Sequence, residues 1–165
     1  KCNPAVKSEQ DRIALWEALL DDRLDVIATD HAPHTMDEKS EHYLKAPSGL
    51  PLVQHSLYVM LDFYTHGMIT PEQIVHKMCH APAEVFKVKE RGYIREGYWA
   101  DLVVIDMNKR WEVNKNNLLA KCQWSTFEGK HFFQKITHTL VNGQVVWEND
   151  RINEIDAAQR LDFHI

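Results

Sequence analysis

The apolar run Leu24-Asp25-Val26-Ile27-Ala28-Thr29 breaks off at Asp30, and His31, Ala32, Pro33 and His34 follow at once. Its length and its β-branched residues predict a buried strand that ends in an irregular, polar stretch reaching about Pro51. Before it, Ser8 to Asp22 places Ile13, Trp16 and Leu20 on one helical stripe with Leu15 and Leu19 beside it, and Ser8 with Asp11 predicts an N-cap. After it, Leu57, Met60, Leu61 and Tyr64 recur at helical spacing from about Leu52 to Gly67. Thr70-Pro71-Glu72-Gln73 then opens a third helix, with a threonine cap, a proline at the first helical position and a glutamine reaching back. Helix, strand, loop and helix in this order predict about one and a half turns of a βα-barrel.

From about Glu90 the pattern changes to strands. Ala100 to Met107 is a nearly continuous apolar run, and Asn142-Gly143 supplies the positive backbone angles of a tight hairpin turn. Trp111 to Phe132 reads as a long, mostly irregular connection. The expected fold class is therefore α/β: the C-terminal part of a (β/α)8 TIM-type barrel over residues 1–89, then a small β-rich, β-sandwich-like domain over residues 90–165. Parallel barrel strands are buried on both faces, so a partial barrel calls for the missing N-terminal part of the same enzyme.

Composition narrows the function. The net charge of -5, with acids and bases interspersed, argues against nucleic acid, which asks for a clustered basic face. No apolar stretch is long enough for a membrane span, and the first ten residues lack the apolar core of a signal peptide, so a cytoplasmic protein is expected. Cys2, Cys79 and Cys122 show no paired spacing and read as free thiols.

In a βα-barrel the chemistry sits at the C-terminal ends of the strands, where Asp30 falls. A carboxylate there can ligate a divalent metal through one oxygen and take a proton from water through the other. His34, on the loop over the mouth, can offer a hydrogen bond or a positive charge to an anionic substrate. The pattern alone fits equally an Asp30 that caps the next segment, with His31 and His34 as surface residues.

The run Ile27 to Thr35, with Glu38-Lys39 and then Lys45-Ala46-Pro47-Ser48-Gly49, closely resembles the signature of the dihydroorotases, metal-dependent cyclic amidohydrolases. Lys1-Cys2-Asn3-Pro4 is similar to the family's Lys-x-Asn-Pro-Pro segment, with Ala5 in place of the second proline. His80 to Phe86, Arg91 to Asp106 and Leu140 to Asp150 resemble the superfamily's passage into its small β domain and its terminal hairpin. The resemblance implies that Asp30 is the catalytic aspartate, ligating a metal and moving the proton between water and the ring nitrogen. It implies that His34 binds the substrate carboxylate, that Asn3 contacts the substrate, and that Ala46, Pro47 and Gly49 lie in a loop whose backbone meets the ring. His31 gets no direct role. After Gly49 the chain runs Leu50-Pro51-Leu52-Val53-Gln54, without the family's usual Gly-Leu-Glu.

The activity implied is reversible hydrolysis of (S)-dihydroorotate to N-carbamoyl-L-aspartate in pyrimidine biosynthesis, with zinc as the expected divalent metal. Its remaining ligands would come from earlier strands, since no His-x-His-x-Arg pattern occurs here. A homo-oligomer and a transcarbamoylase partner are further expectations of the resemblance. The alternatives are another cyclic amidohydrolase, an allantoinase or hydantoinase, and a non-catalytic dihydroorotase-like scaffold. His76 and His80, spaced like a helical metal pair but without the zincin glutamate, are read as structural. Trp99, Trp111, Trp124 and Trp147 are expected to fill the contact between the two halves.

Overall fold

The structure, a computed structural model, describes residues 1–164. Helix α1 (Glu9–Leu20) starts where Ser8 and Asp11 satisfy each other's backbone amides, the capping box the sequence called for. The short helix α2 (Met36–Ser40) is capped in the same way by Thr35 and Glu38. A 3-10 turn, Val53–His55, leads into α3 (Ser56–Thr65), which ends ahead of Gly67 in the left-handed region at φ 69°.

Thr70 and Gln73 then cap α4 (Pro71–Val75), which runs on through a π-helical turn (His76–His80) into α5 (Ala81–Val85). Pro82 has no amide to give, and its ring crowds the carbonyl four residues back. The widened turn just before it lets the Ala81 amide reach His76, five residues back. His76 and His80 stand edge-on at 6.2 Å, and His80 stacks on Tyr93 at 4.0 Å, a packing role in line with the sequence reading.

The expected strand at Leu24 to Thr29 is corrected: among the described residues it joins no sheet. Next to it only His31 and Leu50 form an isolated parallel bridge. A strand exists through its neighbours. Here the Ile27 amide donates instead to the Lys77 carbonyl at 3.1 Å. The buried Lys77 ammonium holds the start of the segment through the Leu24 carbonyl (2.5 Å) and the Asp22 carboxylate (2.8 Å). Val26, Ile27 and Thr29 are half-buried and Ala28 is exposed, so the segment is only partly covered.

The strands are β1 (Leu102–Asp106), β2 (Trp111–Glu112), β3 (His131–Phe132), β4 (Lys135–Val141), β5 (Gln144–Glu148) and β6 (Arg151–Ile152). An antiparallel sheet has the order β1-β4-β5-β6, while β2 and β3 pair with each other. Asn142 and Gly143, at φ 51° and 80°, make the β4–β5 turn.

Helix α3 supplies both cores. Met60 and Leu61 pack with Ile69, Ile74 and, from α1, Trp16 and Leu19. Tyr58 packs with Val113, Leu118 and Phe132, with Trp111 against them, and its hydroxyl accepts from the Ile136 amide at 3.2 Å. The connection from Trp111 to Phe132 is thus anchored on α3, and Trp111 fills the contact between helices and strands as expected.

Candidate active site at the Asp30 to His34 turn

Asp30 is exposed and has φ 44°, a left-handed conformation that aspartate tolerates better than most residues. The residues after it are pinned in order. The His31 ring turns back, its Nδ1 accepting from the amides of Leu52 (3.1 Å) and Val53 (3.2 Å). That is the structural role left to it by the sequence. The Ala32 amide donates to the Leu50 carbonyl at 3.0 Å.

Gly49 lies against this turn. It is buried at φ 107°, and a Cβ on it would stand 2.4 Å from the Ala32 Cβ, so only glycine fits. Its amide donates to the Lys1 carbonyl at 2.9 Å, which draws in the exposed segment that carries Asn3. Ala46 is buried and its amide donates to the His42 carbonyl at 2.9 Å. The three segments bearing Asn3, Asp30 with His34, and Ala46, Pro47 with Gly49 are therefore tied together by backbone hydrogen bonds.

Two side chains that the sequence left without a role in the site complete it. From α2, the Lys39 ammonium donates to the carbonyls of Pro47 and Gly49, each at 2.9 Å. From the long connection, the Trp124 indole donates to the His34 carbonyl at 2.7 Å. Lys39 stands in the stretch that carries the resemblance, whereas Trp124 is 90 residues from its partner, a separation with no local sequence signal. The His34 Nδ1 lies 3.9 Å from the Glu38 carboxylate, a pair that is ionic only when the imidazole is protonated. Hydrogen bonds from the Thr35 amide and hydroxyl hold that carboxyl below the usual glutamate range.

The turn thus offers an exposed carboxylate and, four residues on, an imidazole beside an acid. Among the described residues no three His, Cys, Asp or Glu side chains stand close enough to hold a metal ion. Asp30 alone is a single oxygen donor group, so these residues do not by themselves fit a metal.

The chain is 40% identical over 161 residues to a dihydroorotase of Pyrococcus horikoshii, covering 98% of this chain and 37% of that protein. It is 38% identical over 156 residues to a dihydroorotase of Halobacterium salinarum, covering 94% of this chain and 37% of that one. The chain therefore spans a little over a third of the length of these curated relatives. Among solved structures, an L-hydantoinase (dihydropyrimidinase) from Arthrobacter aurescens matches with a TM-score of 0.85 at 28% identity, over 93% of this chain and 35% of that one. A D-hydantoinase from a Thermus species shares the fold at a TM-score of 0.85 and 22% identity, over 92% of this chain and 34% of that one. These neighbours imply a fold of TIM-barrel type, of which the chain is a mixed α/β part. The sequence pattern of the Amidohydrolase family matches residues 2–146, and the chain belongs to that family.

Proposed function

We propose that this chain is the C-terminal part of a longer dihydroorotase, and that Asp30, His34, Asn3 and the Ala46 to Gly49 loop are its share of the active site. In this reading residues 1–89 close the barrel and residues 90–165 form the small β-sandwich-like domain. The observation that carries it is the bonded cluster of three segments around the Asp30 to His34 turn, in a chain similar to dihydroorotases over nearly its whole length.

The chemistry assigned to these residues is simple. Water adds through its oxygen to the ring carbonyl carbon, the carbon–nitrogen bond breaks, and a proton must travel from the water to the departing nitrogen. Asp30 takes that proton and returns it. His34 holds the substrate carboxylate by a charge-assisted hydrogen bond, and the Ala46 to Gly49 loop, its backbone tied to Lys1, Lys39 and His42, borders the ring. A divalent metal, zinc in this proposal, would have Asp30 as one ligand and residues outside this chain as the others. A cytoplasmic homo-oligomer, with a transcarbamoylase as partner, completes the proposal.

The test compares dihydroorotate with an uncharged dihydropyrimidine in the longer enzyme. Asp30→Ala is expected to lower turnover of both by a factor on the order of 10² to 10⁴. His34→Ala is expected to weaken dihydroorotate binding by about 1.5–3 kcal/mol and to spare the uncharged ring. Equal loss on both substrates would refute the carboxylate role and favour a hydantoinase-like activity, the alternative suggested by the solved neighbours.

A further inference from the structure

We infer that Trp124 is a positioning residue for substrate binding, acting through the backbone of His34; this rests on the reading of His34 above. The His34 peptide is held from both sides. Its amide donates to the Ala32 carbonyl at 2.9 Å, and its carbonyl accepts from the Trp124 indole at 2.7 Å, within the usual N–H to O range. Pro33 restricts the backbone on one flank, and on the other Thr35 is already committed as the cap of α2. With both backbone groups fixed, the direction of the His34 Cα–Cβ bond is fixed too. Only the two side-chain torsions are then left to order when a substrate carboxylate arrives.

Trp124 can do this because its own segment is anchored. The Gln54 side chain, at the mouth of α3, donates to the Asn117 carbonyl (2.7 Å) and accepts from the Leu119 amide (2.9 Å). The buried Ser125 follows Trp124 and accepts from the Phe127 amide at 3.1 Å. Phe127 in turn packs against the core cluster of Tyr58, Val113, Leu118 and Phe132. An indole offers a donor and no acceptor, so the bond to His34 is the one polar interaction that the ring can make. The long connection is thereby a wall of the site, and through it the β-rich half has a hold on substrate affinity.

The experiment replaces Trp124 in the longer enzyme by phenylalanine and, separately, by benzothienylalanine, which keeps the bicyclic shape and exchanges the N–H for sulfur. Should the phenylalanine variant fail to fold, the isosteric one carries the test. Both are expected to raise KM for dihydroorotate about fivefold with kcat within about twofold, the size of one lost hydrogen bond. KM for an uncharged dihydropyrimidine is expected to stay unchanged. In a His34→Ala background the same replacements are expected to add nothing, since the group they position is gone. A rise in KM that is equal for the two substrates, or that adds fully to His34→Ala, overturns the inference. If the wild-type enzyme proves inactive on dihydroorotate, the reading of His34 fails, and amide hydrogen exchange still decides the bracing. Faster exchange over residues 34–38 in both variants, with α1 unchanged, supports it, and unchanged exchange there refutes it.

Discussion

His55 is 1% exposed, and neither of its ring nitrogens has a hydrogen-bond partner among the described residues. Its neighbours are aromatic: Trp111 stacks at 6.3 Å and Phe127 tilts in at 5.6 Å. Burial disfavours the charged ring and pushes its pKa below the ordinary histidine value. The sign follows from linkage. Below about pH 6.5 the unfolded chain takes up a proton at this position that the folded one refuses, so stability is complete above that pH and falls as the pH drops toward the folded-state pKa. The slope is at most about 1.4 kcal/mol per pH unit. His55→Leu is expected to flatten this part of the acid sensitivity and to stabilise the protein by about 1 kcal/mol at pH 5.5. Urea midpoints of both proteins at pH 7.5 and 5.5 check it, and an identical acid loss in the two would count against a buried, unpartnered His55. At this scale the sequence marks a candidate site where polar residues are contiguous, as in Asp30 to His34. It gives no role to His55 and only a packing role to Trp124, whose bond to His34 spans the fold.

Elements were legible where a local rule determines them. The caps at Ser8 and Thr70 and the Asn142-Gly143 turn follow from side chains within three residues of one another, and each stands as read. Helix α2 was missed although Thr35 and Glu38 carry the same capping pattern, because five residues leave no apolar period to notice. The segment at Leu24 to Thr29 was read as a strand from its composition, but pairing is a property of neighbours and no composition supplies them. The use of α2 lies in Lys39, which bridges the Pro47 and Gly49 carbonyls and so binds a short helix to the loop beside Asp30. Hydrogen bonds to a charged group are worth about 1.5–3 kcal/mol when sheltered, and Lys39 is only half-buried. Lys39→Met is therefore expected to cost about 1 kcal/mol in stability, with faster amide exchange at residues 46–50 and a higher KM. Exchange at those residues equal to that of the wild type would show that the loop stands without the lysine.

For the whole molecule, apolar surface and missing ligands point the same way. Ile13 and Leu15 of α1 are 45% and 47% exposed, and Val103 and Val104 of the edge strand β1 are 45% and 49% exposed. Exposed apolar residues on a helix and on a sheet edge mark surfaces that another element can cover. In the proposed reading those elements come from the rest of the longer protein, since this chain spans little more than a third of the length of its relatives. The same division applies to the metal. One carboxylate binds a divalent ion weakly, because a stable zinc site needs three or four protein ligands. Zinc titrated into this chain by itself is accordingly expected to show no stoichiometric binding by calorimetry. The longer enzyme is expected to bind it stoichiometrically and to lose affinity on Asp30→Ala. Tight, stoichiometric zinc binding by the isolated chain would mean that its own residues make a complete site, and the division of the active site proposed here would be wrong.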